Sequence, residues 1–334
     1  MLKKYNDLNA EAKSFITEEI KKIEKDRLKL KRCIDEIDNL YEKKIILIIK
    51  WLYIYKNQNT NIKYWFGGTI NNFYILYKLG LNNIDSIKYN LAYELCNNIC
   101  CIEFKILNKD ENDFIETVNS MQNDFTICES FSNSNFEENY NQYVIKENTD
   151  LKSMANLEYS KNDLPIIVLD KNYYFNELIL NIYLQLPEEE QLTWICENLE
   201  KEVKRISTII NPTSEEDYTK IPLLAINNFF SKTKQEKLFK DGLINKNQFI
   251  ASREDIYDYL IKHNIDKDIS YAITKYVRQG KVYNDYNSDK WEEYKDIMKK
   301  NNCEDWFIDI LARINYIYPK SYGVKLYLNG MIKI

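Results

Sequence analysis

The stretch REDIYDYLIKHNIDKDISYAITKYVRQGK, residues 253–281, decides the fold class of this 334-residue chain. Isoleucine, leucine and tyrosine recur in it at helical spacing, and acids stand near the start of its first segment. The segments KWEEYKDIMKKN and CEDWFIDILARINYIYPK repeat the pattern, and the stop signals are Gly280, Asn301 and Pro319. Acids at helix starts and glycine, asparagine or proline after helix ends are the usual signals of short helices. The C-terminal region is therefore predicted to contain four short helices.

The composition of the whole chain favours helices as well. Hydrophobic residues make up 45% of the sequence, which suffices for a buried core, while 7 glycines and 5 prolines provide few turns for a strand-rich fold. Helical spacing predicts one or two amphipathic helices over 9–50, a helix over 69–80 that ends at Gly80, and a helix that starts near Pro187. The apolar run 43–55 contains Lys50 and is too short to span a bilayer, so a buried helix and no membrane partner are expected.

Charge is distributed unevenly along the chain. The net charge is −5, but residues 1–102 carry 17 basic and 12 acidic groups, whereas residues 103–150 carry 3 and 11. The basic N-terminal third therefore suits an anionic partner better than the net charge indicates. The acidic and polar stretch 103–163 sustains neither a helical nor a strand period, which predicts an insertion or a linker.

Cysteine usage predicts a reducing compartment and no zinc site. The 7 cysteines form an odd set without the spacing of a disulfide framework, and no signal peptide is recognisable, so a cytoplasmic location is expected. Cys96, Cys100, Cys101 and Cys128 have the spacing C-x3-C-C with one distant cysteine. Structural zinc sites usually show a C-x2-C pair at each end, so we expect buried thiols instead.

The C-terminal blocks resemble the end of the fingers region in the alpha subunit of DNA polymerase III of the PolC type. In that family the corresponding segments have the patterns R-D-D-I-x-x-Y-L-I, V-R-K-G-K, E-W-Y-I-D and Y-M-F-P-K-A-H-A-A-A-Y. The matching blocks here are REDIYDYLI, VRQGK, EDWFID and YIYPKSYGVKL, in the same order over about 80 residues. Tyr322 stands where the family has histidine, which is a departure from the last pattern.

A second stretch, residues 27–95, is similar to the start of the palm in the same family. There a helix precedes a strand, a G-S turn and the phrase L-G-I-T-D-I-D-P-L-K-Y-D-L, for which this chain has LGLNNIDSIKYNL. Gly67, Gly68 and Thr69 occupy the G-S turn. Backbone amides of such a turn can contact phosphate, and the alternative is a tight strand-to-helix turn capped by Thr69 or Asn71.

The resemblance places the metal-binding strand of the palm, P-D-I-D-L, at PIIVLD, residues 165–170. Ile166 and Val168 then stand where the family has its two aspartates, and Asp170 lies outside the alternating pair. Nucleotidyl transfer needs divalent ions held by carboxylates, which isoleucine and valine cannot replace. The family has several hundred residues between this strand and the fingers blocks, where this chain has only 171–240.

The resemblance therefore implies an α+β fold, predominantly helical, with a remnant polymerase-beta-like palm and a helix-rich C-terminal fingers segment. Four regions are predicted: 1–102 with N-terminal helices and the palm-like start, the insertion 103–163, a palm-like strand with helices over 164–240, and the fingers-like region 241–334. A trimmed copy of this kind would suit a mobile element.

The predicted function is binding to DNA or to replication proteins after loss of nucleotidyl transfer. Phosphate contact by backbone amides is predicted for the turn 67–69. The resemblance also assigns phosphate contact to Arg278, Lys281, Lys320 and Lys325, because such contact needs only positive charge and reach. Solvated surface lysines remain the alternative reading of these residues. No metal or other cofactor is expected.

Two other functions stay open from the sequence. One is a reduced nucleotidyltransferase that would use Mg²⁺ and Asp163, Asp170 and one of Glu215, Glu216 or Asp217. The other is a protein-interaction scaffold without nucleic acid.

Overall fold

The chain folds into two compact units, Met1–Phe175 and Asn176–Ile334. The computed structural model describes residues 5–59, 64–66, 68–96, 101–106, 111–121, 125–130, 140–147, 166–170 and 190–328. Most of the described chain is helical, which confirms the predicted helix-rich character. The division into four regions that the sequence suggested remains a prediction beside this division into two.

Three helices form the core of the first unit. They are α1 (Tyr5–Ile23), α2 (Arg27–Glu42) and α3 (Ile46–Gln58). Ile16, Ile37 and Trp51, one from each helix, are almost completely buried in one apolar cluster. The predicted buried helix over 43–55 is confirmed as α3, and the amphipathic helices over 9–50 are confirmed as α1 and α2.

Short elements follow these helices and lead into a sheet. A strand, β1 (Tyr64–Phe66), precedes a 3-10 turn over Gly68–Asn72, the helix α4 (Tyr74–Lys78) and a second 3-10 turn over Tyr93–Cys96. Gly80, predicted as the stop of this helical stretch, follows α4 with φ of 64°. Glycine adopts this left-handed conformation without the steric cost of a Cβ.

Five strands form one sheet in the first unit. After β1 come β2 (Cys101–Ile106), β3 (Phe125–Ser130), β4 (Tyr140–Glu147) and β5 (Ile166–Asp170), with the helix α5 (Glu111–Met121) between β2 and β3. Their order in the sheet is β1-β2-β5-β4-β3, and only the pair β2–β5 is parallel. The segment 103–163, predicted as an insertion or linker, thus supplies a helix and most of three strands.

The second unit is helical throughout its described residues. Its helices are α6 (Glu190–Ile210), α7 (Glu215–Ala225), α8 (Phe229–Lys232), α9 (Gln235–Lys240), α10 (Arg253–Lys262), α11 (Lys267–Arg278), α12 (Lys281–Asn284), α13 (Asp289–Lys300), α14 (Asp305–Ala312) and α15 (Lys320–Leu328). The four helices predicted for the C-terminal region are confirmed as α10, α11, α13 and α14. Pro187, predicted near a helix start, lies outside the described residues, and α6 begins at Glu190.

Local capping explains why several of these helices begin where they do. Ser252 caps α10 in a reciprocal capping box with Asp255, and Asp266 caps α11 by accepting from two backbone N–H groups. Side-chain oxygens at these positions satisfy the N–H groups that lack a partner in the first turn of a helix.

One glycine allows two helices of the second unit to pack at close range. A Cβ on Gly323, in α15, would lie 2.2 Å from the carbonyl oxygen of Thr219 in α7. Any larger residue would therefore force the two helices apart.

None of the helices in the described part of the chain combines the length and the apolar character required to cross a lipid bilayer.

Candidate nucleic-acid interface

Strand β5 carries the two positions that the resemblance aligned with metal-binding aspartates. It lies between β2 and β4, so it is an inner strand of the sheet. Ile166 is in register with Cys101 of β2, and Val168 is in register with Glu103. The buried residues Ile102 and Phe104 of β2 pair instead with the alternate positions of β5, Ile167 and Leu169. Positions 166 and 168 therefore alternate along β5 with the two positions, 167 and 169, that are in register with buried residues of β2.

Of the acids that a reduced nucleotidyltransferase would need, the structure describes Asp170 and the three acids at 215–217. Asp170 ends β5 in register with Tyr140 of β4. Asp163 lies outside the described residues. Among the residues that the structure describes, no group of three or more histidine, cysteine, aspartate or glutamate side chains is placed to hold a metal ion.

Asp217 and Glu216 at the start of α7 already have partners within their own unit. Oδ2 of Asp217 accepts from the backbone N–H of Thr213 at 2.8 Å and from Nζ of Lys246 at 2.9 Å. Burial opposes ionisation of Asp217, but the Thr213 N–H and the Lys246 ammonium outweigh it and hold its pKa below the usual range. Asp217 also closes a capping box with Ser214, so it shapes the start of the helix.

The described residues of the turn 67–69, Gly68 and Thr69, lie between β1 and the helix α4, and neighbouring residues hold them by hydrogen bonds. Gly67 lies outside the described residues, while Gly68 and Thr69 open a 3-10 turn directly after β1. The amide of Asn71 donates to the carbonyl of Phe66 at 2.9 Å, and the thiol of Cys96 donates to the carbonyl of Thr69 at 3.1 Å. These contacts fit the strand-to-helix alternative, and phosphate contact at this turn stays a prediction.

A buried ion pair of α2 secures the chain that follows this turn. Glu36 is fully buried and accepts from Nε of Arg32 at 2.8 Å and from the N–H of Ile75 at 2.9 Å. Arg32 also donates to the carbonyl of Leu91 at 2.8 Å. Burial raises the pKa of Glu36 to about 6, against the opposing effect of the Arg32 guanidinium. We assign this pair a structural role.

The four basic residues predicted to contact phosphate differ in their exposure. Lys281, at the start of α12, is exposed, and Arg278, at the end of α11, is half-buried. Lys325 is half-buried in α15. Lys320 is only 7% exposed, which leaves its ammonium group little surface to offer a phosphate.

Lys320 belongs to a cluster of charges between α7, α10 and α15. Its Nζ lies 3.9 Å from Glu216, and its backbone N–H donates to Glu254 at 2.7 Å. The neighbouring Lys220 lies 3.1 Å from Asp255 and 3.5 Å from Glu216. Burial lowers the pKa of Lys220, but Asp255 and Glu216 outweigh it and raise this pKa above its ordinary value. The cluster holds three helices together.

A cluster of cations that was not among the predicted site residues lies at the turn between α1 and α2. This basic turn, residues 21–31, contains six basic and two acidic residues. Both acids are engaged: Glu24 pairs with Lys78 at 3.1 Å, and Asp26 caps α2. Among the described residues, no carboxylate pairs with the following cations of the turn: Lys21, Lys25, Arg27, Lys29 and Lys31.

Apolar side chains are exposed within the same basic turn. Leu28 is 79% exposed and Ile23 is 42% exposed. Basic residues alternate along the chain at positions 25, 27, 29 and 31, and together with the excess of positive charge in the N-terminal third this was the signal that could have identified the cluster from the sequence. A concentrated set of unpaired cations attracts polyanions, and phosphate is the anion of a nucleic-acid backbone.

The comparisons with known proteins find no matching family model. A stretch of 124 residues is 30% identical to DNA polymerase III PolC-type of Caldanaerobacter subterraneus subsp. tengcongensis. This stretch covers 37% of this chain and 8% of that protein. The protein of the same name from Bacillus subtilis is 32% identical over 88 residues, which cover 26% of this chain and 6% of the relative. That of Streptococcus pyogenes is 28% identical over 96 residues, which cover 29% of this chain and 6% of the relative. The chain thus spans less than a tenth of the length of these relatives. These matches support a relationship between a stretch of this chain and the PolC-type polymerases.

Proposed function

We propose that this chain is a polymerase-related protein that binds DNA and does not catalyse nucleotidyl transfer. The observation that carries the binding role is the basic turn, where Arg27, Lys29 and Lys31 have no carboxylate partner among the described residues. Lys281 and Arg278 provide positive charge on the second unit. The partial similarity to PolC-type proteins supports DNA as the polyanion.

Loss of nucleotidyl transfer is proposed from positions 166 and 168. The resemblance puts the metal-binding aspartates there, and this chain has isoleucine and valine in an inner strand. Two-metal catalysis holds the attacking and leaving oxygens through ions that carboxylates fix in place. Asp217 and Glu216, which the sequence offered as substitutes, are engaged by lysines of their own unit.

The binding role is tested by the salt dependence of duplex binding. We expect fluorescence anisotropy of a labelled 20-base-pair duplex to give a log–log slope of about −0.9 for each phosphate contacted. The triple substitution Arg27→Gln, Lys29→Gln and Lys31→Gln should make this slope shallower by about 2.7. Glutamine is chosen because it removes the charge and keeps a high helix propensity.

A control variant of equal charge change distinguishes local contact from net charge. Lys13→Gln, Lys240→Gln and Lys290→Gln remove three lysines that pair with Asp38, Glu236 and Glu293. This control should change the slope by less than about 1. Equal effects of the two triple variants, or an affinity that does not respond to salt, would contradict phosphate contact at the basic turn.

A further inference from the structure

Two tyrosines between α11 and α13 leave more than half of their surface uncovered. Tyr283, in α12, is 56% exposed, and Tyr286, three residues later, is 51% exposed. Their neighbour Tyr294, in contrast, is 7% exposed and packs in the core of the second unit. The rings of Tyr283 and Tyr286 are therefore available to a partner.

Cations accompany the tyrosines on the same stretch of chain. Nζ of Lys295 lies 5.0 Å from the centre of the Tyr286 ring, and Nζ of Lys281 lies 5.6 Å from the centre of the Tyr276 ring. Arg278 ends α11 immediately before this stretch. Proteins bind single-stranded nucleic acids through aromatic rings with cations between them, because the bases stack on the rings and the phosphates contact the positive charges.

The charge balance of the stretch shows which interaction must dominate. Lys295 is paired with Glu292 and Lys290 with Glu293, so these four charges offset each other. Arg278 and Lys281 are close in sequence to two acids, Asp285 and Asp289, so the formal charges of these four residues also sum to zero. Charge alone would therefore bind a polyanion weakly, and a ligand of this surface has to gain free energy from the rings.

We propose that Tyr283 and Tyr286 form a stacking platform for the bases of single-stranded DNA, with Arg278 and Lys281 contacting its phosphates. This inference rests on the proposed DNA-binding function and names the form of DNA that this surface takes. A duplex keeps its bases stacked inside, so their faces cannot reach the rings, whereas a single strand presents them.

The platform is tested with the full chain and a fluorescein-labelled oligo(dT) of 20 nucleotides, measured beside a duplex of equal length. Tyr283→Ala and Tyr286→Ala should each weaken oligo(dT) binding by about 5- to 150-fold and leave duplex binding within about twofold. Tyr283→Phe and Tyr286→Phe should bind within about twofold of the unmodified chain, because phenylalanine keeps the aromatic face. Tyr77→Ala, a partly exposed tyrosine of the first unit, serves as the control.

Each outcome of this test decides something. If the alanine variants bind oligo(dT) normally, or lose duplex binding equally, the platform is wrong. If the double variant Arg278→Gln and Lys281→Gln binds oligo(dT) more weakly while the tyrosine variants bind it normally, the stacking proposal is wrong and the proposed DNA-binding function stands. If the unmodified chain binds neither oligonucleotide, both proposals fail. A thermal melt of each variant shows whether it is folded. If the double variant Arg278→Gln and Lys281→Gln does not fold, the two single substitutions are measured in its place.

Discussion

Asp258, on α10, is a carboxylate that the fold keeps partly from water without giving it a hydrogen-bonding partner among the described residues. Burial and the nearby charge of Asp255 raise its pKa to about 6, and Lys320 and Lys262 oppose the rise only in part. The folded state thus holds the proton of Asp258 at a pH where the unfolded chain has released it. Ionised Asp258 is a cost to stability.

Replacement of Asp258 by asparagine should stabilise the protein at neutral pH. Because its pKa is higher in the folded chain than in the unfolded chain, the stability from this group is fully present below about pH 4 and is lost as pH rises through about 6. We expect Asp258→Asn to raise the free energy of unfolding at pH 7.5 by about 1–2 kcal/mol, with about 1 kcal/mol less gain at pH 5.

Urea denaturation at both pH values measures this difference, with Asp296→Asn as the control on the exposed face of α13. The control should change stability by less than about 0.5 kcal/mol at either pH. A gain for Asp258→Asn that is the same at pH 5 and pH 7.5 would show that Asp258 does not titrate differently in the two states.

Lys320 shows what a sequence cannot reveal at the scale of one residue. The family pattern placed it among phosphate-contacting residues, yet in the fold it lies against Glu216, and its backbone N–H meets Glu254, which is 66 positions earlier in the chain. Such partners come together only through helix packing, which no local pattern encodes. Of the neighbouring predicted residues, Lys281 is exposed and Arg278 is half-buried, and phosphate contact by either stays a prediction.

At the scale of elements, helix ends depend on a few glycines and asparagines that adopt positive φ. Gly280, after α11, has φ of 66°, and a Cβ there would lie 2.4 Å from the carbonyl oxygen of Asn315. Gly242, after α9, has φ of 73° and open space around it. The two glycines therefore share the backbone conformation and differ in crowding.

This pair separates conformational strain from steric clash. Gly242→Ala should cost about 1 kcal/mol of unfolding free energy, because alanine is disfavoured at positive φ. Gly280→Ala should cost about 2–4 kcal/mol, because the added Cβ also displaces the chain at Asn315. Chemical denaturation of the two variants measures the difference, and equal costs would mean that the chain at Asn315 gives way without penalty.

The helices were more predictable than the sheet. Apolar periodicity with caps and stops located α10, α11, α13 and α14, since helical hydrogen bonds are local. Strands β3 and β4 went unrecognised within 103–163 because a strand is completed by a distant partner: β5 lies between β2 and β4. Short strands rich in polar residues, such as YNQYVIKE in β4, also lack a clean alternation.

For the whole molecule, the sequence predicted the relationship to PolC-type polymerases and the helical character, and both receive support from the comparisons and the fold. The candidate interface was predicted less completely. The excess of basic residues in the N-terminal third was visible, but the grouping of unpaired cations at the α1–α2 turn required the helices to be placed and Glu24 and Asp26 to be assigned other partners.

The most direct test of the account is primer extension by the purified full chain, with a labelled primer–template, four deoxynucleoside triphosphates and Mg²⁺. At protein concentrations that shift the primer–template in a native gel, the account predicts that the primer length stays unchanged. Extension of the primer that requires Mg²⁺ and is abolished by Asp170→Asn would contradict the account, because it would show that this chain retains a metal-binding carboxylate site for nucleotidyl transfer.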